Sequence, residues 1–321
     1  MRRRMPIVAR RMRGLTLLEL LISMTLGLVI IAATFAGYLG LSEAARMAEA
    51  QSRMNEDGQA ALAVLAANLR MAGNNPEQPF RIPATRVNPV YTSPTSFAVR
   101  GCDGKFTNIT SPDPVPDLIC GSGVASAPDS IAITYEADRF NTIAAALMPT
   151  DCLGNPLPAQ QVMLTVVSQT PPHLTEDRVV QYHVAENRFY IDSSPGVPSL
   201  FCRGNGAGGT PRPLVENVED LQLTYGVIPV GAPADSTLIA GYLDATDLGT
   251  HSNLAGLPND AARWKQVAAV RVCVVVRSQK PITGSAGSAR YLRCDGTIES
   301  NPPDFHLRRA YTTTVVLRNR L

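Results

Sequence analysis

From Leu15 to Leu41 the chain is apolar at nearly every position (LTLLELLISMTLGLVIIAATFAGYLGL), 27 residues with a single charged side chain, Glu19. Read as a helix rising about 1.5 Å per residue, the run exceeds the roughly 30 Å hydrocarbon core of a bilayer. The pattern changes after it. Residues 42–72 contain no proline and are rich in Ala, Leu, Met and Glu, and Leu62, Leu65, Ala66 and Leu69 recur at helical spacing. Gly58 interrupts this second stretch, at a cost of about 1 kcal/mol against alanine. Gly73-Asn74-Asn75-Pro76 supplies the stop signal. One helix over 15–72 is expected, apolar all round in its first half and amphipathic in its second. A break into two helices is the alternative.

Beyond Pro76 the periodicity turns toward two. Residues 76–129 are rich in Pro, Ser and Gly, with one short strand expected at Ser96–Arg100. Strands are expected at Ser130–Glu136, Gln161–Ser168, Leu221–Ile228 and Arg308–Arg318. The clearest is Val267–Arg277, where Val270, Val272, Val274 and Val276 share one face. Val179–Tyr182 and Arg188–Ile191 read as a hairpin turning at Glu186-Asn187, and Leu214–Glu219 as a helical or turn segment. Residues 229–263 read as a loop with short helical pieces. One long helix followed mostly by strands predicts an α+β fold, the helix packed on an antiparallel sheet with long loops.

The 321 residues are 45% hydrophobic and 17% charged, enough for a sizeable core, which excludes a disordered chain. A single long apolar run excludes a polytopic membrane protein. The net charge of +2 conceals an asymmetry: residues 1–14 hold six arginines and no acid, so the rest carries 23 basic against 27 acidic residues, or −4. That balance argues against a nucleic-acid partner. The six cysteines, Cys102, Cys120, Cys152, Cys202, Cys273 and Cys294, all follow the apolar run, and none forms a C-x-x-C pair. An even number, widely spread, fits disulfides in an oxidising compartment better than a metal cage. Pairing of sequence neighbours is the simplest connectivity, with buried free thiols as the other reading.

The arginines place the N-terminus in the cytoplasm by the positive-inside tendency, and the bulk of the chain across the inner membrane. A secretory signal would have a shorter apolar region and a small-residue cleavage site. A plain anchor would leave Glu19 unexplained, because a carboxylate at bilayer depth costs about 2.5–3.5 kcal/mol on insertion scales. Arg13-Gly14-Leu15-Thr16-Leu17-Leu18-Glu19, followed by the apolar helix, resembles the signal of type IV prepilins. That resemblance implies cleavage between Gly14 and Leu15 by a prepilin peptidase on the cytoplasmic side, and N-methylation of Leu15. It also implies pairing of Glu19 with the new amine of a neighbouring subunit. Leucine replaces the commoner phenylalanine at Leu15, and Ala36 stands where many major pilins have proline, which leans toward a minor pilin or pseudopilin.

Further segments resemble PilW-type minor pilins: Asn55-Glu56-Asp57-Gly58-Gln59-Ala60-Ala61 with Asn68 to Gly73, and Leu214-Val215-Glu216-Asn217-Val218-Glu219-Asp220-Leu221-Gln222 with Tyr225-Gly226. Trp264 to Val272 and Arg308 to Asn319 fit as well. The resemblance implies a leader at 1–14, a transmembrane and filament-core segment at 15–41, an amphipathic segment at 42–75 and a periplasmic β-rich domain at 76–321. It implies a structural, non-enzymatic subunit that helps prime pilus assembly. Its expected partners are prepilin peptidase, other minor pilins, the major pilin and a PilY-type tip adhesin, and it would enter the pilus or its tip. A GspJ-like pseudopilin of type II secretion and a single-span anchored periplasmic domain are the competing readings.

Catalytic chemistry has little footing. His173, His183, His251 and His306 are scattered, with none at i, i+4 from another. The glycine-rich run 204–209 lacks the Gly-Lys-Ser/Thr of a phosphate cradle. Asp244 and Asp247 share a loop without a full oxygen ligand set for calcium. No cofactor and no metal are expected. Arg271 and Arg277 are expected to pair with acids, and Trp264 to pack in the core or at a strand entry.

Overall fold

A computed structural model describes residues 14, 16–75, 96–121, 127–142, 147–167, 172, 175–233, 236, 238–282, 284, 286–302 and 304–319. The arginine leader, Leu15, the 76–95 part of the expected long loop, Ser168 and His173 lie outside these residues. The chain divides into two units, 1–50 and 51–321.

In the first unit helix α1 (Leu17–Met71) begins and runs on through Ala36 without a break. Its opening residues are the apolar ones. The same helix supplies the first element of the second unit, where Met54, Gly58, Ala61, Leu65, Ala66 and Leu69 are buried at three- and four-residue spacing. This is the single stripe that an amphipathic helix lays on a core. Gly73 ends the helix at φ 70°, a left-handed position that glycine adopts without strain, and its N–H reaches the carbonyl of Thr134.

The body holds two principal antiparallel sheets. The first contains β1 (Val99–Cys102), β2 (Ser130–Ala137), β3 (Ala159–Val167), β4 (Thr175–Ser194), β5 (Val197–Arg203) and β6 (Arg212–Glu216). Their order is β1-β2-β4-β5-β6, with β3 paired to β4. The second contains β7 (Val218–Val227), β8 (Gly241–Leu243), β9 (Val267–Arg277) and β12 (Arg308–Val316), in the order β12-β9-β7-β8. Strands β10 (Tyr291–Leu292) and β11 (Ile298–Glu299) form a small ribbon between β9 and β12 in the chain. Short helices α2 (Ala245–Thr250) and α3 (Asp260–Trp264) fall in the loop where helical pieces were expected.

One expectation fails and another holds only in part. No hairpin turns at Glu186-Asn187: β4 runs straight through, with Glu186 opposite Thr134 and Asn187 opposite Ile133. Both residues are polar and read as turn formers, but here their side chains find partners inside the fold. The reversal comes later, at Pro195-Gly196, where Gly196 takes φ 81° and Ser194 pairs with Val197. The segment 214–219, expected to be helical or a turn, forms a turn only at Asn217. It is the end of β6 and the start of β7, jointed at Asn217, whose φ of 63° is tolerated by asparagine better than by most residues. The first short strand lies at Val99–Cys102, slightly later than expected.

Candidate functional site

The first unit presents an anomaly for a chain in water: its large apolar side chains are solvent-facing all round the helix. Leu18, Val29 and Ile31 are each about two-thirds exposed, at 66%, 66% and 65%. The most apolar 18-residue window has a mean hydropathy of 2.2 and nothing buried. Such a surface needs a lipid or protein partner. The polar side chains within it are already satisfied. Ser23 donates to the carbonyl of Leu20, Thr25 to that of Ile22, and Thr34 to those of Ile30 and Ile31.

The start of the helix is built from Thr16-Leu17-Leu18-Glu19. The Glu19 N–H donates to Thr16 Oγ1 at 3.2 Å. In return Glu19 Oε2 accepts from the Thr16 N–H at 3.0 Å and the Thr16 hydroxyl at 3.1 Å. This is a capping box, which satisfies backbone donors that a helix N-terminus leaves open. Both contacts use Oε2, and Oε1 has no partner among the described residues. Gly14 precedes this cap in open space. The sequence carried the signal, threonine and glutamate three apart before an apolar run, and sequence reasoning used only the charge of Glu19.

In the second unit the amphipathic stretch of α1 is clasped by polar contacts along its length. Arg53 donates to Gln279, and Tyr311 donates its hydroxyl to Asn55 Oδ1 at 2.7 Å. Asn217 donates to Asp57 at 3.4 Å, and Asn319 to the carbonyl of Arg70. Burial lifts the Asp57 carboxyl above its usual range, against the help of Asn217. Gly58 lies under the Tyr311 ring so closely that a Cβ there would sit 2.5 Å from a ring carbon. The glycine that sequence reasoning took for a weakness permits this approach.

Asn187, fully buried, ties three elements together. Its Nδ2 donates to Asn68 of α1 at 2.8 Å and to the Tyr135 hydroxyl at 3.2 Å, while its Oδ1 accepts from the Cys152 N–H at 3.0 Å. Nearby, the buried Arg188 holds the loop after β1 by donating to the carbonyls of Ile109, Ser111 and Asp113. Disulfides join Cys102 to Cys120, Cys152 to Cys202 and Cys273 to Cys294, each closing a loop.

The remaining singled-out residues have local structural partners. His183 and His306 contact the carbonyls of Leu157 and Ser278, and His251 receives the N–H of Asn253. Asp244 caps α2 by accepting from the Asp247 N–H. In the glycine run, Gly204 and Gly206 crowd the Asp151 side chain, which accepts the Gly206 N–H. Trp264 is buried edge-on to Tyr225, at 4.8 Å between ring centroids. Arg277 lies 3.5 Å from Glu219, whereas Arg271, expected to pair with an acid, lies over the Tyr242 ring at 4.1 Å. Among the described residues no group of three or more His, Cys, Asp or Glu is placed to hold a metal ion. The described residues thus comprise a disulfide-linked body, a helical stretch held to it by polar contacts, and, in the first unit, an exposed apolar helical stretch with one capped carboxylate.

The profile described as Type IV Pilus-assembly protein W matches residues 188–319, and the prokaryotic N-terminal methylation motif matches residues 9–35. No curated protein matches the chain. Among solved structures, a type IV-like pilin from Thermus thermophilus is similar at 14% identity and a TM-score of 0.32, over 86% of this chain and 99% of that one. The matched body begins at the buried Arg188, and the matched motif spans Gly14, Thr16 and Glu19. Over 188–319 the chain is therefore similar to the type IV pilus-assembly protein W family, and its N-terminal region matches the prokaryotic methylation motif.

Proposed function

We propose that the protein is a minor pilin, cut between Gly14 and Leu15 by prepilin peptidase, N-methylated at Leu15, held in the inner membrane by 15–41, and drawn from there into a complex that primes the pilus. Other minor pilins, the major pilin and a PilY-type adhesin at the tip are its expected partners. The role is structural and non-catalytic.

The observation that carries this reading is the Thr16–Glu19 cap at the head of an exposed apolar helix. Oε2 of Glu19 is committed to Thr16, and Oε1, without a partner among the described residues, can take a donor from outside. An ammonium at Leu15 of a neighbouring subunit is such a donor, and pairing would offset the cost of placing a carboxylate at bilayer depth. The PilW match favours a pilus over a type II secretion system.

Two substitutions separate capping from charge. Glu19→Gln keeps a side-chain acceptor for Thr16 and removes the charge, while Thr16→Ala weakens the cap and keeps the charge. In a strain lacking the native copy, both variants are expected to be processed. Glu19→Gln is expected to reduce surface pili at least tenfold, and Thr16→Ala no more than about twofold. Full piliation with Glu19→Gln would refute the pairing role.

A further inference from the structure

Two arginines stand side by side on the face of the first sheet that is turned away from α1. Asn187 of β4 reaches Asn68 of the helix, so its neighbour Arg188 leaves the opposite face. Arg188 pairs directly with Arg203 of β5, and the two are only 1% and 6% exposed. Like charges placed opposite each other across two strands oppose each other. Arg188 has answers to its charge. Its Nη groups donate to the carbonyls of Ile109, Ser111 and Asp113, and Glu186 lies 3.7 Å away. Arg203 has none. Its Nε is enclosed without a partner, and among the described residues no hydrogen bond or ion pair reaches the rest of its guanidinium. The acids within electrostatic range are engaged elsewhere: Glu186 accepts from Arg188 and from the Val115 N–H, and Asp113 accepts from Asn108 at 2.8 Å. A buried charge without a direct partner is costly, and burial holds this guanidinium below its usual range.

The donors beside this charge can be reached. Of the Arg203 nitrogens only Nε is both enclosed and unpartnered, so the Nη groups keep access to small solutes. Tyr190 lies diagonally across from Arg203 in the β4–β5 register and within electrostatic range of it. Burial pushes its phenol up to about 12, so the hydroxyl stays protonated and can donate. That hydroxyl has no partner among the described residues and, unlike that of Tyr225, is not enclosed. Lys105, 4.5 Å above the Tyr190 ring, is already paired with Asp192 at 2.5 Å. The glycine run 204–209, which leaves β5 at Arg203, forms a fixed rim. Asn205 accepts from the Glu186 N–H and donates to the Val184 carbonyl, the Gly206 N–H donates to Asp151, and the Ala207 N–H donates to the Pro156 carbonyl. Gly208 and Gly209 then turn at φ 101° and 39°, and a Cβ on Gly209 would lie 3.7 Å from Arg203 Nη2.

We propose that Arg203 and Tyr190 form a binding site for a small, singly charged oxyanion, a carboxylate. A guanidinium fork takes a carboxylate through parallel N–H···O bonds, and the phenol supplies a further donor. Glu186 and Asp113 set the charge limit, because two carboxylates in electrostatic range oppose a doubly charged phosphate more than a carboxylate. The ligand is either a small solute or a carboxylate on a neighbouring subunit, and the chemistry at Arg203 is the same for both. The site stands on the geometry of the body and does not depend on the assembly reading.

The test uses the full-length protein in detergent micelles with isotopically labelled arginine, and reads the arginine Nε–H resonances together with the thermal midpoint. Sodium acetate, sodium chloride and sodium phosphate are titrated separately at constant ionic strength. The resonance that is missing from Arg203→Gln is expected to shift saturably with acetate, about tenfold more tightly than with chloride and about threefold more tightly than with phosphate. Tyr190→Phe should weaken acetate about threefold, the worth of one hydrogen bond. Arg203→Gln should lose the acetate dependence of the thermal midpoint, while its midpoint without acetate stays level or rises, because an uncompensated charge has gone. Should that variant not fold, the wild-type titration and Tyr190→Phe carry the test. No saturable acetate shift, a shift matched by chloride, or one that survives in Arg203→Gln would overturn the site. Phosphate binding more tightly than acetate would overturn its assignment to a carboxylate. Repeating the titration on protein purified with its pilin-like partners separates the two sources: acetate binds there as before if the ligand is a solute, and is blocked if a neighbouring subunit supplies the carboxylate.

Discussion

Residues 17–41 and 51–71 belong to one helix and share one backbone geometry, yet their side chains face different worlds. In the earlier stretch Leu18, Val29, Ile30 and Ile31 are all more than 60% exposed, and no residue is buried. In the later one, six residues at helical spacing are buried, and the exposed positions hold polar or charged groups and alanines. The comparison shows two ways to complete a helix. A one-sided apolar stripe is completed by its own domain. An all-round apolar surface is completed only by an apolar medium or by other helices, and there a single carboxylate outweighs many methyl groups.

A charge placed mid-run should break the comparison most strongly. Val29→Glu adds a second carboxylate with no cap and no designated partner, at a cost of about 2.5–3.5 kcal/mol. Membrane-fraction recovery and piliation are expected to fall by roughly a hundredfold at that cost. Gln59→Glu, at an exposed position of the later stretch, should change stability by less than about 0.5 kcal/mol.

Removing the disulfide that links Cys152 to Cys202 should act on the body alone. The double Cys→Ser variant is expected to lose about 2–5 kcal/mol in denaturant titrations, with membrane insertion unchanged. Gly58→Ala reverses an ordinary rule. In an open helix the change would gain about 1 kcal/mol. Here the new methyl meets the Tyr311 ring, and a loss of about 1–3 kcal/mol is expected. A gain in thermal midpoint would show that the ring moves aside freely.

A pH dependence of similar size comes from the body's core. Burial pushes the Asp129 carboxyl from 3.8 up to about 7, against hydrogen bonds from the Leu223 and Gly104 N–H groups. Between those values the folded chain holds a proton that the unfolded chain has released. The stability tied to this group is therefore full below about pH 4 and is lost as pH rises through 7. Unfolding free energy should decline by about 1–3 kcal/mol between pH 5 and 8, and the slope should flatten in Asp129→Asn.

Much of this was legible in the sequence. The two halves of α1 and the main strands of the second sheet follow from hydrophobic period and charge, and the Gly14–Glu19 spacing stood out through its resemblance to prepilin signals. What escaped were contacts between positions distant in the chain. Nothing local says that Gly58 sits under Tyr311, or that Asn187 is buried among Asn68, Tyr135 and Cys152. For the same reason Glu186-Asn187 looked like a turn, and the strands on either side of Asn217 were missed within a segment read as helical or turn. The Thr16–Glu19 cap differs, since it is local and was readable, but the charge of Glu19 drew attention away from its geometry.

The central claim is that the apolar helix enters an assembly after its leader is removed at Gly14. Intact-mass and N-terminal sequencing of the full-length protein, expressed with and without prepilin peptidase, tests it most directly. The account predicts a peptidase-dependent chain beginning with N-methylated Leu15. An unprocessed Met1 in the presence of the peptidase, or a cut well beyond Leu15, would contradict it.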